Sequence, residues 1–440
     1  MKTTTSEFFT NDYVDYASYD CLRKIASMVD GLKNSGRKVI HTVYTDNITK
    51  DLKVLQLASK AAERTQYLHG DLSGSIVNLA QHHIGSNNMP LLKDSGEFGG
   101  RFEPVAAAPR YIFTHKETVF DTIFIKDDYP VLKHQTFEGD SIEPMFYMPT
   151  LPMLLVNGSE GIASGYAQKI LPRKISDIKR NIKRVLDGSN PHKMKPHYEG
   201  FKGTIRSGDG KGKWEIVGAI KDPVRNTVEI TEIPIGYTLN SYLKVLDTLE
   251  EKKVLRSYVD MSDDDKFSFK VTFGTGVLKD MDQEAILEKL KLIKKVSENY
   301  TVIDESNMIK VFDAPEDILK EWVEIKLYYT TLRKEHMMKE MAQAGALMTS
   351  KFIFIKGVVD GKIVVTNTKK DDIIKQIDGV KGIIERDGSY DYLLNMPIHS
   401  LSKEKVTALK QQISTLMGEM EALKDTEVND IFMGDLEKVK

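Results

Sequence analysis

The segment AAAPRYIF (Ala106 to Phe113) sets an arginine directly before a tyrosine, Arg110 and Tyr111. A guanidinium beside a phenol can clamp a phosphate through two parallel N–H donors. It can also stabilise the charge that develops while the phenol attacks. Three alanines upstream let the backbone approach another surface closely, and Pro109 fixes a turn. The pair by itself is weakly specific, because the chain contains 18 tyrosines and an Arg-Tyr neighbour arises readily by chance.

Other chemistry-bearing patterns are fewer. Between Arg23 and Lys38 there are five basic residues, Arg23, Lys24, Lys33, Arg37 and Lys38, against one acid, Asp30. Such a run is either a solvated helix face or a phosphate-binding stripe. GDGKGKW (Gly208 to Trp214) lacks the ending and spacing of a phosphate-binding P-loop and reads as a hairpin turn. The acidic run Asp263, Asp264 and Asp265 reads as solvated. His82 and His83 are adjacent, a poor spacing for two metal ligands on one helix face. No self-contained nucleotide or metal site emerges.

The elements that must position these residues follow from periodicity and turn chemistry. Leu55 to Gln66 is helix-forming, and Asp71 or Ser73 can cap a following helix through Ile76 and Ala80. The loop GSNNMPLLKDSGEFGG is too long for a simple turn, and such loops are often functional. From about 156 to 312, strands such as NTVEITEIPI and FSFKVTFG alternate with Gly-rich turns, and SYLKVLDTLEEKK reads as a helix. From Pro315 the chain turns helical, with Ile318, Trp322, Ile325, Tyr329 and Leu332 at spacings of four and three. Val406, Leu409, Ile413, Leu416, Met420 and Leu423 form a heptad seam. Two such helices around an insert of about 70 residues suggest an antiparallel coiled-coil arm.

Length and composition set the frame. A chain of 440 residues implies two or three domains. With 41% apolar and 29% charged residues it has the composition of an ordinary soluble protein. No apolar run is long enough to span a bilayer, and MKTTTSEFFT lacks the apolar stretch of a secretory signal. The single cysteine, Cys21, excludes an internal disulfide and fits a reducing cytoplasm. A net charge of −2 is low for a protein held on DNA by charge alone, so any such grip must be local.

Several motifs in order carry a family resemblance from about Tyr13 onwards. DGLKNSGRKVI, YLHGD, AQHHIGSNNMPLL, GEFGGRF, AAAPRYIF, LPMLLVNGSEGIASGY, FKGTI, DILKEW and YDYLLNMP resemble the breakage-and-reunion part of the type IIA DNA topoisomerases. The middle motifs are nearer the eukaryotic enzymes than the gyrases. The resemblance implies an α+β multidomain protein: a winged-helix DNA-binding domain over 1–155 and an α/β tower over 156–312. An antiparallel coiled-coil arm with a small globular dimer gate would cover 313–440.

The same resemblance implies roles. Tyr111 attacks the scissile phosphate and becomes linked to a 5′ end, and Arg110 sits on that phosphate. His69 assists the transition state, and Arg23, Lys33, Arg37 and Lys38 lie around the DNA backbone or active site. Ile170 wedges between base pairs and kinks the duplex. A phenol with its ordinary pKa near about 10 needs a base or a cationic setting. Mg²⁺ and ATP are expected on a partner chain with TOPRIM and ATPase domains, and this chain is expected to form a homodimer on double-stranded DNA. Gly36 stands where gyrases have His, and the stretch from His69 to Gln81 is about two residues short, so neither Leu72 nor Ser73 receives a role. A tyrosine recombinase would need a separate Arg-His-Arg set, which is not found. A non-catalytic coiled-coil DNA-binding protein leaves AAAPRYIF unexplained.

Overall fold

The computed structural model describes residues 4–263 and 266–439. Asp264 and Asp265 of the acidic run lie outside the described residues. The chain has mixed α and β structure and divides into two compact units, residues 1–326 with 435–440, and residues 327–434.

Early in the first unit, helix Asn34–Thr45 is enclosed on all sides over Gly36 to Val43, while helix Val54–Arg64 buries one face. Asn34–Thr45 buries Val39, Ile40 and Val43, and Val54–Arg64 buries Val54, Leu57, Ala58 and Ala61, the i, i+3, i+4, i+7 stripe of an amphipathic helix. The second of these is the expected Leu55–Gln66 helix. It stops at Arg64 because Gln66 takes a left-handed φ of 52°. Helix Ser73–Ala80 starts one residue later than an Asp71 cap would place it: the N-cap is Leu72, which makes no side-chain cap, and Asp71 closes a turn before it. The Asp71 carboxylate accepts from the Ser73 amide at 3.0 Å and from its hydroxyl at 2.9 Å. A short antiparallel pair, Leu52–Lys53 with Phe113–Thr114, joins the start of the second helix to the segment carrying Tyr111.

A hairpin follows, Ser159–Ala163 against Tyr166–Ile170. It seats on the end of helix Tyr13–Lys24, where Gly161 is obligatory in practice: a Cβ there would lie 2.0 Å from the Lys24 carbonyl oxygen. Gly31 is similarly constrained, with φ +71° and the Leu154 amide nitrogen 2.4 Å from any Cβ.

Besides the two-stranded pairs His134–Phe137 with Asp140–Pro144 and Thr301–Ile303 with Ile309–Val311, the β structure forms two larger sheets. Thr204–Ser207, Lys213–Val217 and Ile293–Ser297 make an antiparallel three-stranded sheet, and GDGKGKW is its hairpin turn. Ala219–Ile220, Thr227–Glu232, Phe269–Phe273 and Leu255–Asp260 make a four-stranded sheet. Alternate residues of its strands, Val228, Ile230, Phe269 and Val271, share a core with Tyr242 and Leu246 of helix Leu239–Glu251. The long helix Pro315–Val359 starts at the expected proline, and its Ile318, Trp322 and Ile325 are buried. The Trp322 indole donates to the Val29 carbonyl at 2.8 Å.

In the second unit the later turns of that helix run antiparallel to Lys403–Asp425. The Lys334 ammonium donates to the Lys424 carbonyl at 2.8 Å, Gly345 faces Leu416, and Phe354 and Ile355 share a core with Leu409. Each seam residue from Val406 to Leu423 is shielded, and the residues between them are exposed. A small globule containing helices Lys370–Ile377 and Asp391–Leu394 packs Ile377, Leu393 and Tyr390 of YDYLLNMP around Phe354 and Ile363.

Candidate nucleic-acid cleavage site

Tyr111 stands on a braced turn. Its amide donates to the Ala108 carbonyl at 2.9 Å, closing the turn that Pro109 begins. The first amides of helix Val54–Arg64 clamp the same turn, Val54 N–H to the Ile112 carbonyl at 3.0 Å and Leu55 N–H to the Pro109 carbonyl at 3.2 Å. Ile112 is buried beneath, while Tyr111 itself is 65% exposed. The Arg110 guanidinium lies 4.8 Å from the centre of the Tyr111 ring. A large, exposed aromatic on an anchored turn, covered by an always-charged donor fork, is poorly explained by packing. It is well suited to receive a phosphate.

The long loop before it is fastened from helix Ser73–Ala80 outward. The Gln81 side-chain amide donates to the Phe98 carbonyl at 2.7 Å and the Pro104 carbonyl at 2.9 Å, and the Ala107 amide donates to Glu97. Gln81 carries no signal in the sequence: its two acceptors lie in a loop of no fixed periodicity.

His69 belongs to a second grouping. One of its ring nitrogens hydrogen-bonds the Tyr19 hydroxyl at 2.6 Å, and the Arg23 guanidinium lies 5.4 Å from the Tyr19 ring centre. They line a cleft of about 330 Å³ together with Lys24, Lys38 and Ser35, and no carboxylate among the described residues lines it. Arg23, Lys38 and His69 are thus brought together, whereas Arg110 and Tyr111 stand on a different element. Tyr19 escapes a reading of the sequence because it is 50 residues from His69 along the chain.

Three residues expected at DNA are enclosed in this structure. Arg37 is 8% exposed and spends its fork on Asp30, with Nε donating at 2.7 Å and Nη2 at 3.1 Å. Asp30 also accepts from the Leu32 and Tyr147 amides, so the pair is a structural node enclosed within the protein. Lys38 is equally buried, paired with Glu143 at 2.6 Å and donating to the Thr65 carbonyl. It walls the cleft, but its charge is neutralised inside the protein. Ile170 is 2% exposed in the hairpin, opposite Ser159, so its side chain is packed within the protein. Lys33 is half-buried and donates to the Glu160 carbonyl at 2.7 Å, and burial pulls its pKa below the usual lysine range.

Among the described residues no three His, Cys, Asp or Glu side chains converge on a metal position. A hard cation such as Mg²⁺ needs oxygen ligands, and the His69 cleft supplies none from carboxylates. No helix among the described residues is long and apolar enough to cross a membrane.

The class these features define is a mixed α and β fold that presents an exposed tyrosine and arginine on a braced turn. The chain belongs to the DNA gyrase/topoisomerase IV A-subunit family, whose model matches residues 23–437. It is 32% identical over 473 residues to DNA topoisomerase 2 of Penicillium chrysogenum, covering 99% of this chain and 30% of that protein. Against DNA topoisomerase 2-beta of Homo sapiens it is 33% identical over 476 residues, covering 98% and 29%. The chain therefore spans about a third of the length of these curated relatives. The fold is similar to the crystal structure of the Plasmodium falciparum topoisomerase II DNA-binding, cleavage and re-ligation domain. The TM-score is 0.89 at 32% identity, over 98% of this chain and 63% of that one.

Proposed function

We propose that this chain cleaves and rejoins DNA as part of an ATP-dependent type II topoisomerase, with Tyr111 as nucleophile. The observation that carries the reading is the exposed Tyr111 on its braced turn with the Arg110 guanidinium across its ring. Family membership over nearly the whole chain supports it. The Tyr111 phenolate oxygen attacks the scissile phosphorus, the P–O3′ bond breaks, and the 3′-hydroxyl leaves with a proton. The phosphotyrosine conserves the bond energy, so reversal of the same step reseals the strand.

Arg110 binds the non-bridging oxygens as charge builds on them. His69, held by Tyr19, and Arg23 act at the same phosphate or its neighbour. Each strand requires one Tyr111, so two copies of the chain make a double-strand break, and a second duplex passes through it, giving relaxation and decatenation. In this reading residues 1–155 form a winged-helix domain, 156–312 a tower, and 313–440 a coiled-coil arm with a dimer gate. We further propose that Mg²⁺ and ATP are bound by a separate TOPRIM/ATPase subunit in the cytoplasm. That division of labour resembles the medium subunit of the T-even phage topoisomerase.

The test is to trap covalent complexes on end-labelled DNA in the presence of Mg²⁺ and the partner subunit. The reading requires a 5′ linkage that Tyr111→Phe abolishes. A 3′ linkage would indicate recombinase-type chemistry, and no linkage would indicate a DNA-binding protein without cleavage activity.

A further inference from the structure

A cavity of about 720 Å³ opens beside Tyr44 and Tyr129, and none of its lining residues belongs to the Tyr111 turn or the His69 cleft. Its floor is aromatic. The Tyr44 and Tyr129 rings stack with centres 4.9 Å apart and planes inclined by 22°, and buried Phe124 continues the surface. The Tyr44 hydroxyl donates to the Lys126 carbonyl at 3.3 Å, which fixes the ring. Burial holds the Tyr44 phenol well above the usual range, so this floor carries no charge at neutral pH.

The rim carries two ammonium groups, Lys116 and Lys126, against one carboxylate, Asp121. Lys116 donates to Asp121 at 2.7 Å and to Asn47 at 2.9 Å, and its ammonium lies 5.8 Å from the Tyr44 ring centre. Its side chain is 8% exposed, against 69% for Asp121, so the ammonium is held in the wall and its counter-ion faces water. Lys126 also lines the cavity, is exposed, and has no carboxylate partner among the described residues. A space of this size, mostly apolar with a few placed polar groups, has the character of a small-molecule site. Stacked rings accept a flat π-system. Lys116 is neutralised by Asp121, so the selection for negative charge comes from Lys126, the ammonium without a counter-ion.

We propose that this cavity binds a planar aromatic small molecule bearing an anionic group, its ring on the Tyr44–Tyr129 stack and its anion at Lys126. Nothing in the cleavage chemistry requires such a site, so the inference stands independently of the proposed function.

The experiment titrates the full chain with 8-anilinonaphthalene-1-sulfonate by fluorescence, beside the uncharged N-phenyl-1-naphthylamine. The expected result is one saturable site, competed by naphthalene-2-sulfonate. Lys126→Glu, at an exposed position, weakens the sulfonate probe at least tenfold and leaves the neutral probe unchanged. Thr45→Trp, which fills the mouth from an exposed helix end, removes both. Melting curves of the two variants establish that each is folded, and Lys126→Glu alone suffices if Thr45→Trp is destabilised. Equal sulfonate binding by wild type and Lys126→Glu overturns the proposal, as does binding that never saturates. Equal weakening of both probes by Lys126→Glu overturns the anionic part.

Discussion

Consider replacement of Arg37 by methionine, which keeps the length of the stem and removes the guanidinium. Asp30 is then left fully enclosed with its charge unpaired, since the pair's side chains are 9% and 0% exposed. Breaking a buried pair from one side costs roughly 3–5 kcal/mol, because the remaining carboxylate keeps its desolvation penalty. Part of that is recovered here, since the Leu32 and Tyr147 amides still donate to Asp30 at 3.0 and 3.1 Å. A loss of about 3 kcal/mol is therefore expected, a large share of the roughly 5–15 kcal/mol that holds a domain folded.

Urea denaturation, read on the first unfolding transition, measures this loss. The double variant Arg37→Met/Asp30→Asn removes the stranded charge but keeps an acceptor for the Leu32 amide. It should regain at least about 1.5 kcal/mol, and the cycle isolates the coupling. In parallel, DNA affinity is measured against salt concentration. A residue that neutralises a phosphate changes the slope of log K against log salt by about one unit. A buried Arg37 changes it by none. An Arg37→Met protein of unchanged stability with a shallower salt slope would refute the structural assignment and return Arg37 to the DNA surface.

Arg23→Gln should instead shallow the salt slope by about one unit with little change in the unfolding midpoint, because its guanidinium faces the carboxylate-free cleft. His41, buried beside the Tyr147 hydroxyl and near His134, has its pKa lowered to about 4, chiefly by burial and then by the neighbouring His134 charge. In the folded state it therefore stays neutral while the unfolded chain takes a proton below about 6.5. Stability is lost as pH falls from there towards about 4, by roughly 2–3 kcal/mol. His41→Gln should flatten the stability–pH curve over that window. Gly161→Ala must push the hairpin off the Lys24 carbonyl and should cut DNA cleavage at least tenfold, whereas Gly74→Ala meets nothing within 4 Å and leaves cleavage unchanged. Leu409→Ala empties a position 4% exposed in the second unit. It should lower that unit's stability by about 2–5 kcal/mol in urea, with the first unit's transition unmoved.

Periodicity made the helices and the seam legible. Val54–Arg64, Leu239–Glu251 and the shielded positions from Val406 to Leu423 follow from apolar spacing alone, and the turn in GDGKGKW from its glycines. Tyr111 was legible only through its place in an ordered set of motifs, since an Arg-Tyr pair has no periodic signature. What stayed hidden were pairings between distant segments. Nothing in the spacing joins Tyr19 to His69, Gln81 to the Phe98 and Pro104 carbonyls, or Lys38 to Glu143. Burial of Ile170 is equally non-local, because the cover over the hairpin comes from elsewhere in the chain.

The basic stripe from Arg23 to Lys38 shows how this matters for function. Read along the chain, it is five cations against one acid. In the fold, Arg37 is consumed by Asp30, Lys38 by Glu143 and Lys24 by Asp20, and Lys33 reaches a carbonyl rather than solvent. The same internal pairing recurs at Arg173 with Glu298 and at Lys326 with Asp128. A net charge of −2 is therefore no guide to a nucleic-acid partner, because cations of this stripe are spent inside the protein while others of the 62 lysines and arginines stay exposed. In the proposed function the grip on DNA falls to donors left without carboxylates, such as Arg23 with His69 in the cleft and Arg110 over Tyr111. Those two places lie on different elements, so the geometry between them is fixed by the packing of helices Asn34–Thr45, Val54–Arg64 and Ser73–Ala80. Core substitutions there should therefore reduce cleavage before they reduce binding.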